Sequence, residues 1–108
     1  MNRGDIYLVR KPGSNEPKKR RPFVVVSRQV LLDSNFSTVI CAPVYSTRSG
    51  LSTQVDLGPE AGLKNESAVF CDELVSLERG RLSDFIGAVP AARHAELDRA
   101  LAIALGLQ

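Results

Sequence analysis

The chain has 108 residues, of which 44% are hydrophobic and 24% charged, with a formal net charge of only +2. These values fit one ordinary folded domain, residues 1–108, and exclude a two-domain or low-complexity chain. The charge is too small to mark a nucleic-acid binder by itself, but it is uneven: six basic residues and one acid, Glu16, lie between Arg10 and Arg21.

In chain order, residues 5–9 read as a short strand, and 12–19 as a loop broken by Pro, Gly, Ser and Asn. Residues 22–28 hold Phe23 and three successive valines, the pattern of a strand buried on both faces. A short helical turn is expected within 29–35, and a second buried strand over 38–44. Residues 45–51 read as a polar loop, 53–57 as a half-exposed strand, and 58–65 as a Gly/Pro loop. A longer strand over 67–77, a turn at 79–82 and a short strand over 84–89 follow. Pro90 starts the one clear helix, 91–105, with Leu97, Leu101, Ala104 and Leu105 on one stripe and Gly106 at its end. Short strands at close spacing with one terminal helix predict a mainly β fold, a small barrel or strongly bent sheet.

No apolar run approaches the ~18 residues that span a bilayer. The N-terminal decapeptide is polar and lacks the pattern of an export signal, which points to the cytoplasm and away from a membrane. Cys41 and Cys71 sit in apolar runs without metal-ligand spacing and read as buried, reduced thiols. The single histidine, His94, lies on the terminal helix, so a two-histidine acid–base mechanism is excluded and His94 reads as a surface or packing residue. No carboxylate cluster suits a two-metal site, and neither a phosphate-binding GxxxxGK[ST] loop nor a GxSxG elbow occurs. No metal or cofactor is expected.

Four cations, Lys18, Lys19, Arg20 and Arg21, stand together before Pro22. Such a run suits phosphate, although by charge alone a solvated surface loop is the favoured reading, since basic runs are common. Arg21 differs from its neighbours. A residue before proline is biased to extended backbone, and it adjoins a buried strand. Its forked, permanently charged donor group is thereby mounted on a rigid base, suited to a phosphate developing negative charge. Ser46, Thr47 and Arg48 follow the second buried strand, where hydroxyls can donate to a phosphate oxygen. Glu16 and Asp72 are candidate bases; Asp72 lies in an apolar stretch that would raise its proton affinity, and it could equally cap a turn or pair with Arg79 or Arg81.

The segments RGDIYLV (3–9), RRPFVVVS (20–27), VICAPVYST (39–47), LSTQVDL (51–57) and SAVFCDELVSL (67–77), in this order, resemble the PemK/MazF family of toxin endoribonucleases. The resemblance implies an SH3-like barrel of twisted antiparallel sheet with a C-terminal helix, shared with the CcdB toxins, and a homodimer. It implies cleavage of single-stranded mRNA at short sequences without metal, by 2′-hydroxyl attack that leaves a cyclic phosphate and a 5′-hydroxyl. It assigns Arg21 to stabilising the phosphorane, and Glu16, five residues earlier, or Asp72 to the base. Many members carry Thr after the third strand; here Tyr45 stands there, and the hydroxyl donor becomes Ser46, or Thr47 if the register slips. Lys18, Lys19, Arg20, Thr47 and Arg48 are expected to bind the substrate. The implied partner is an antitoxin whose acidic, disordered segment folds into the basic groove. The alternatives are a non-enzymatic toxin of the same fold that binds a protein target such as gyrase, and a basic barrel that binds nucleic acid without turnover.

Overall fold

The structure, a computed structural model, describes residues 1–10 and 19–108. Seven strands form one antiparallel sheet: β1 (Asp5–Arg10), β2 (Arg20–Val25), β3 (Thr38–Tyr45), β4 (Gln54–Leu57), β5 (Ser67–Phe70), β6 (Val75–Glu78) and β7 (Phe85–Ala88). The spatial order is β4-β5-β3-β2-β1-β7, with β6 also paired to β3. The sheet curls into a half-barrel, with a one-turn helix α1 (Gln29–Leu32) and a C-terminal helix α2 (His94–Ala104) against it.

The central strands are buried on both faces, as the valine run predicts. Val24, Val26, Ala42 and Val44 join Ile6, Val55, Leu57 and Val69 in a core closed by Leu97, Ala100 and Leu101 of α2. Phe23, Val25, Val39 and Cys41 point the other way, into a second core with Val9, Leu32, Leu77 and Leu82. Alternate side chains of one strand thus serve two cores. The stripe on α2 meets the first core, and Gly106, at φ +71°, ends the helix. Leu107 N donates to Ala102 O and Gly106 N to Ile103 O, the paired bonds of a Schellman cap.

The predicted strand over 67–77 is two strands instead. Between the pairs Val44↔Val69 and Cys41↔Val75, β3 advances three residues while its partner advances six. The three extra residues are the 3₁₀ turn Cys71–Glu73. Pro43 explains the break. Ile40 directs its backbone at β2, through Val26 N to Ile40 O and Ile40 N to Ser27 Oγ. By alternation Pro43 faces the β5–β6 side, where it has no N–H to offer, and the partner strand leaves the ladder there.

The helical region also divides, into a 3₁₀ turn at Ala91–Arg93 followed by α2. β2 begins at Arg20, two residues before the predicted start, so Arg20 and Arg21 are ladder residues paired with Arg10 and Val9. Among the described residues, no helix is long and apolar enough to cross a membrane.

Candidate RNA-cleavage site

β2 and β3 run side by side, with Val24 opposite Ala42 and Phe23 opposite Pro43. The next pair would be Pro22 opposite Val44. In that position an ordinary residue would donate its N–H to Val44 O, as the ladder does two residues on. Pro22 has no N–H. The Arg21 side chain takes the vacant acceptor instead: Nη1 donates to Val44 O at 3.1 Å. The Arg-Pro dipeptide therefore does two things. It extends the backbone at Arg21, and it frees the carbonyl that holds the guanidinium.

Arg21 forms no salt bridge to an acid among the described residues. Its Nε is buried without a hydrogen-bond partner. An unpaired buried donor costs about 1–3 kcal/mol, a cost that native structures tolerate at functional positions.

Arg21 lines a cleft of about 480 Å³, together with Arg20, Ser46, Lys64 and Asn65, over apolar walls that include Leu8 and Ile86. Arg20 Nη1 also bonds Asp84 Oδ2 at 2.9 Å, an exposed pair that solvent screens. Three cations, an amide and two serines, Ser46 and Ser67, thus line one space, and the Ser67 hydroxyl is already bonded to Asn65 O. Gly62, at φ +92°, lets the loop before β5 close over the sheet: a Cβ there would lie 2.1 Å from Ile86 O. The close approach brings Lys64 and Asn65 to the cleft.

The other predicted site residues are distributed differently. Ser46 lines the cleft, whereas Thr47 and Lys19 are exposed and do not. Glu16 and Lys18 lie outside the described residues. Arg48 is engaged within the fold: Nε donates to Ser67 O (2.9 Å), and Nη2 to Leu57 O (3.1 Å) and Glu66 Oε2 (2.6 Å). It buckles β4 to the loop and strand that follow, and it does not line the cleft. Asp72 sits in the turn Cys71–Glu73, accepts a bond from Thr53 Oγ1 at 2.6 Å, and does not line the cleft. It is exposed rather than partly buried, because the strand break turns it outward. Arg79, a sequence candidate for its partner, donates instead to the carbonyls of Leu31, Leu32 and Phe36.

His94 packs below the sheet, its Nε2 3.0 Å from Val89 O. Both cysteines are free and buried, and burial pushes the Cys41 thiol up to about 12 and the Cys71 thiol to about 11. No group of three or more His, Cys, Asp or Glu suited to a metal ion occurs among the described residues. Lys64 and Asn65 escape residue-level reasoning, since nothing local distinguishes them from solvated loop positions. In sequence they belong only to the Gly/Pro loop expected over 58–65.

A small antiparallel half-barrel that gathers three cations around one cleft is an arrangement suited to a phosphodiester. Residues 2–105 match the family described as "PemK-like, MazF-like toxin of type II toxin-antitoxin system", and the chain belongs to that family. It is 31% identical to the endoribonuclease MazF2 of Mycobacterium bovis, over 99% of this chain and 98% of that one. The endoribonuclease MazF3 of Mycobacterium tuberculosis is 30% identical over 82% of this chain and 85% of its own. Among solved structures, the Mycobacterium tuberculosis toxin MazF-mt6 superposes with TM-score 0.82 at 27% identity, covering 96% of this chain and 98% of that one. A mycobacterial endoribonuclease in complex with its cognate antitoxin gives 0.84 at 27% identity, covering 100% and 97%.

Proposed function

We propose that this chain is the endoribonuclease toxin of a type II toxin–antitoxin system and that it cuts single-stranded RNA in the cleft built on Arg21. One observation carries the assignment of the site. The guanidinium is held at one edge by Val44 O and has no carboxylate partner among the described residues, and it faces Ser46, Lys64 and Asn65 across a common space. Family membership and the endoribonuclease relatives support the reaction class.

In the proposed step the ribose 2′-oxygen attacks the adjacent phosphorus as its proton passes to a base, read as Glu16, since the other sequence candidate, Asp72, does not line the cleft. The P–O5′ bond breaks, a 2′,3′-cyclic phosphate remains, and the leaving oxygen takes a proton to become a 5′-hydroxyl. Negative charge on the phosphorane is met by Arg21 and by the Ser46 hydroxyl, both in place before the charge develops. Arg20 and Lys64, with Lys18 and Lys19, attract the flanking phosphates. Unstacked bases would be read by the loops around the cleft. No metal takes part in this scheme.

The same cations suit an acidic antitoxin segment that folds on binding and excludes RNA. The working form is read as a homodimer in the cytoplasm, where the mRNA substrate lies. A non-enzymatic toxin acting on gyrase is not favoured, since the relatives reported above are endoribonucleases. Incubation with a mixed RNA in excess EDTA, followed by sequencing of fragment ends, tests the reading. Discrete fragments with 5′-hydroxyl and cyclic-phosphate ends are expected; intact RNA contradicts it.

A further inference from the structure

The Arg21 guanidinium is held from a second direction. Its Cζ lies 4.2 Å from the centroid of the Tyr45 ring. A cation over an aromatic face is attracted by the ring quadrupole. Val44 O restrains the guanidinium within its plane, and the ring restrains the plane itself. Tyr45 does not line the cleft, so it supports the cation from behind.

Tyr45 is itself fixed at two points. Its ring meets Phe70 nearly edge-on, with centroids 4.6 Å apart and planes at 70°. Its hydroxyl donates to Glu73 Oε1 at 2.7 Å. Both partners come from the strand break opposite Pro43: Phe70 ends β5, and Glu73 stands in the inserted turn. Burial, then the Glu73 bond and charge, raise the Tyr45 pKa, while Arg21 opposes them. The phenol therefore stays neutral at physiological pH and remains a donor to Glu73.

We propose that Tyr45 is a positioning residue for Arg21: its ring sets the plane of the guanidinium in the cleft, and Glu73 holds the ring. This rests on the reading of Arg21 as the group that meets the scissile phosphate. The Cys71–Glu73 turn then has a task beyond relieving the ladder, since it delivers the carboxylate that locks the ring.

The test is steady-state cleavage of an RNA with a mapped site by Tyr45→Phe, Tyr45→Leu, Arg21→Ala and Arg21→Lys variants, with thermal melting as a check on folding. Tyr45→Leu keeps an apolar side chain and removes the π face; its kcat should fall about tenfold with KM within about twofold. Tyr45→Phe keeps the face but loses the bond to Glu73, and should lower kcat only about threefold. Lysine has no plane to set, so Tyr45→Leu should cost less than about twofold in the Arg21→Lys background. Glu73→Ala, at an exposed position, serves if the Leu variant does not fold, and should lower kcat about threefold.

A folded Tyr45→Leu with parental kcat overturns the proposal, as does a loss confined to KM or one undiminished beside Arg21→Lys. If Tyr45→Leu does not fold, a parental kcat in Glu73→Ala overturns it. Cleavage retained by Arg21→Ala defeats the underlying site assignment instead, so the two failures are distinguishable.

Discussion

Pro22, one step beyond the Phe23–Pro43 pair of the β2–β3 ladder, has no N–H to give Val44 O, and the Arg21 guanidinium occupies that acceptor at 3.1 Å. A missing backbone donor is what leaves the carbonyl that holds the Arg21 side chain. Pro22→Ala supplies the N–H, closes the ladder and sets backbone and side chain in competition for one oxygen. Cleavage should fall several-fold, while thermal stability stays within about 1 kcal/mol of the parent. Titration of activity and melting temperature on the same preparation checks both; unchanged activity would show that Val44 O does not hold Arg21.

Ser46 and Thr47 are adjacent hydroxyls with different outlooks, since only Ser46 lines the cleft. Ser46→Ala is expected to lower kcat by about tenfold or more, as loss of a donor to developing charge does. Thr47→Ala should remain within about twofold. Single-turnover cleavage by the two variants separates them, and the reverse ranking would reassign the donor.

Arg48 reads as a phosphate ligand from sequence, yet three of its contacts are to Ser67 O, Leu57 O and Glu66. Arg48→Ala should therefore lose stability, by about 1–2 kcal/mol after allowance for its partial exposure. The affinity for a non-cleavable RNA, measured at a temperature where the variant is folded, should change little. A large loss of affinity without loss of stability would return Arg48 to the substrate.

The thiols give an alkaline signature. In the unfolded chain they ionise near their ordinary value of 9.0, whereas burial holds Cys71 to about 11 and Cys41 to about 12 in the fold. Their contribution to stability is complete below pH 9 and is lost as pH rises toward those folded values, because the unfolded state releases protons first. Urea midpoints should fall between pH 8 and pH 10.5, with a shallower decline in Cys41→Val. A thiol reagent at pH 8 should label neither cysteine until the chain unfolds. Fast labelling of the folded protein would contradict their burial.

Sequence periodicity conveyed most of the fold, because burial on both faces leaves an uninterrupted valine run and a terminal helix carries its own stripe. The break in the 67–77 strand was not visible. It depends on which side of β3 Pro43 faces, and that is a property of pairing rather than of local pattern. In the site, Arg21 was legible through the proline after it, and Ser46 through its place at a strand end. Arg48 misled, because a cation on a loop carries no mark of the carbonyls it will meet. Lys64 and Asn65 reach the cleft only through the close approach of Gly62 to Ile86, a tertiary event. Tyr45 stood out as a departure from the family pattern, but its place beneath Arg21 is set by the inserted turn.

The most direct test of the central claim is cleavage by Arg21→Ala in excess EDTA, on protein shown to be folded by its thermal transition. The account predicts that cleavage falls by at least about a hundredfold, while the fragment ends made by the parent carry a cyclic phosphate. Parental cleavage by folded Arg21→Ala would contradict it.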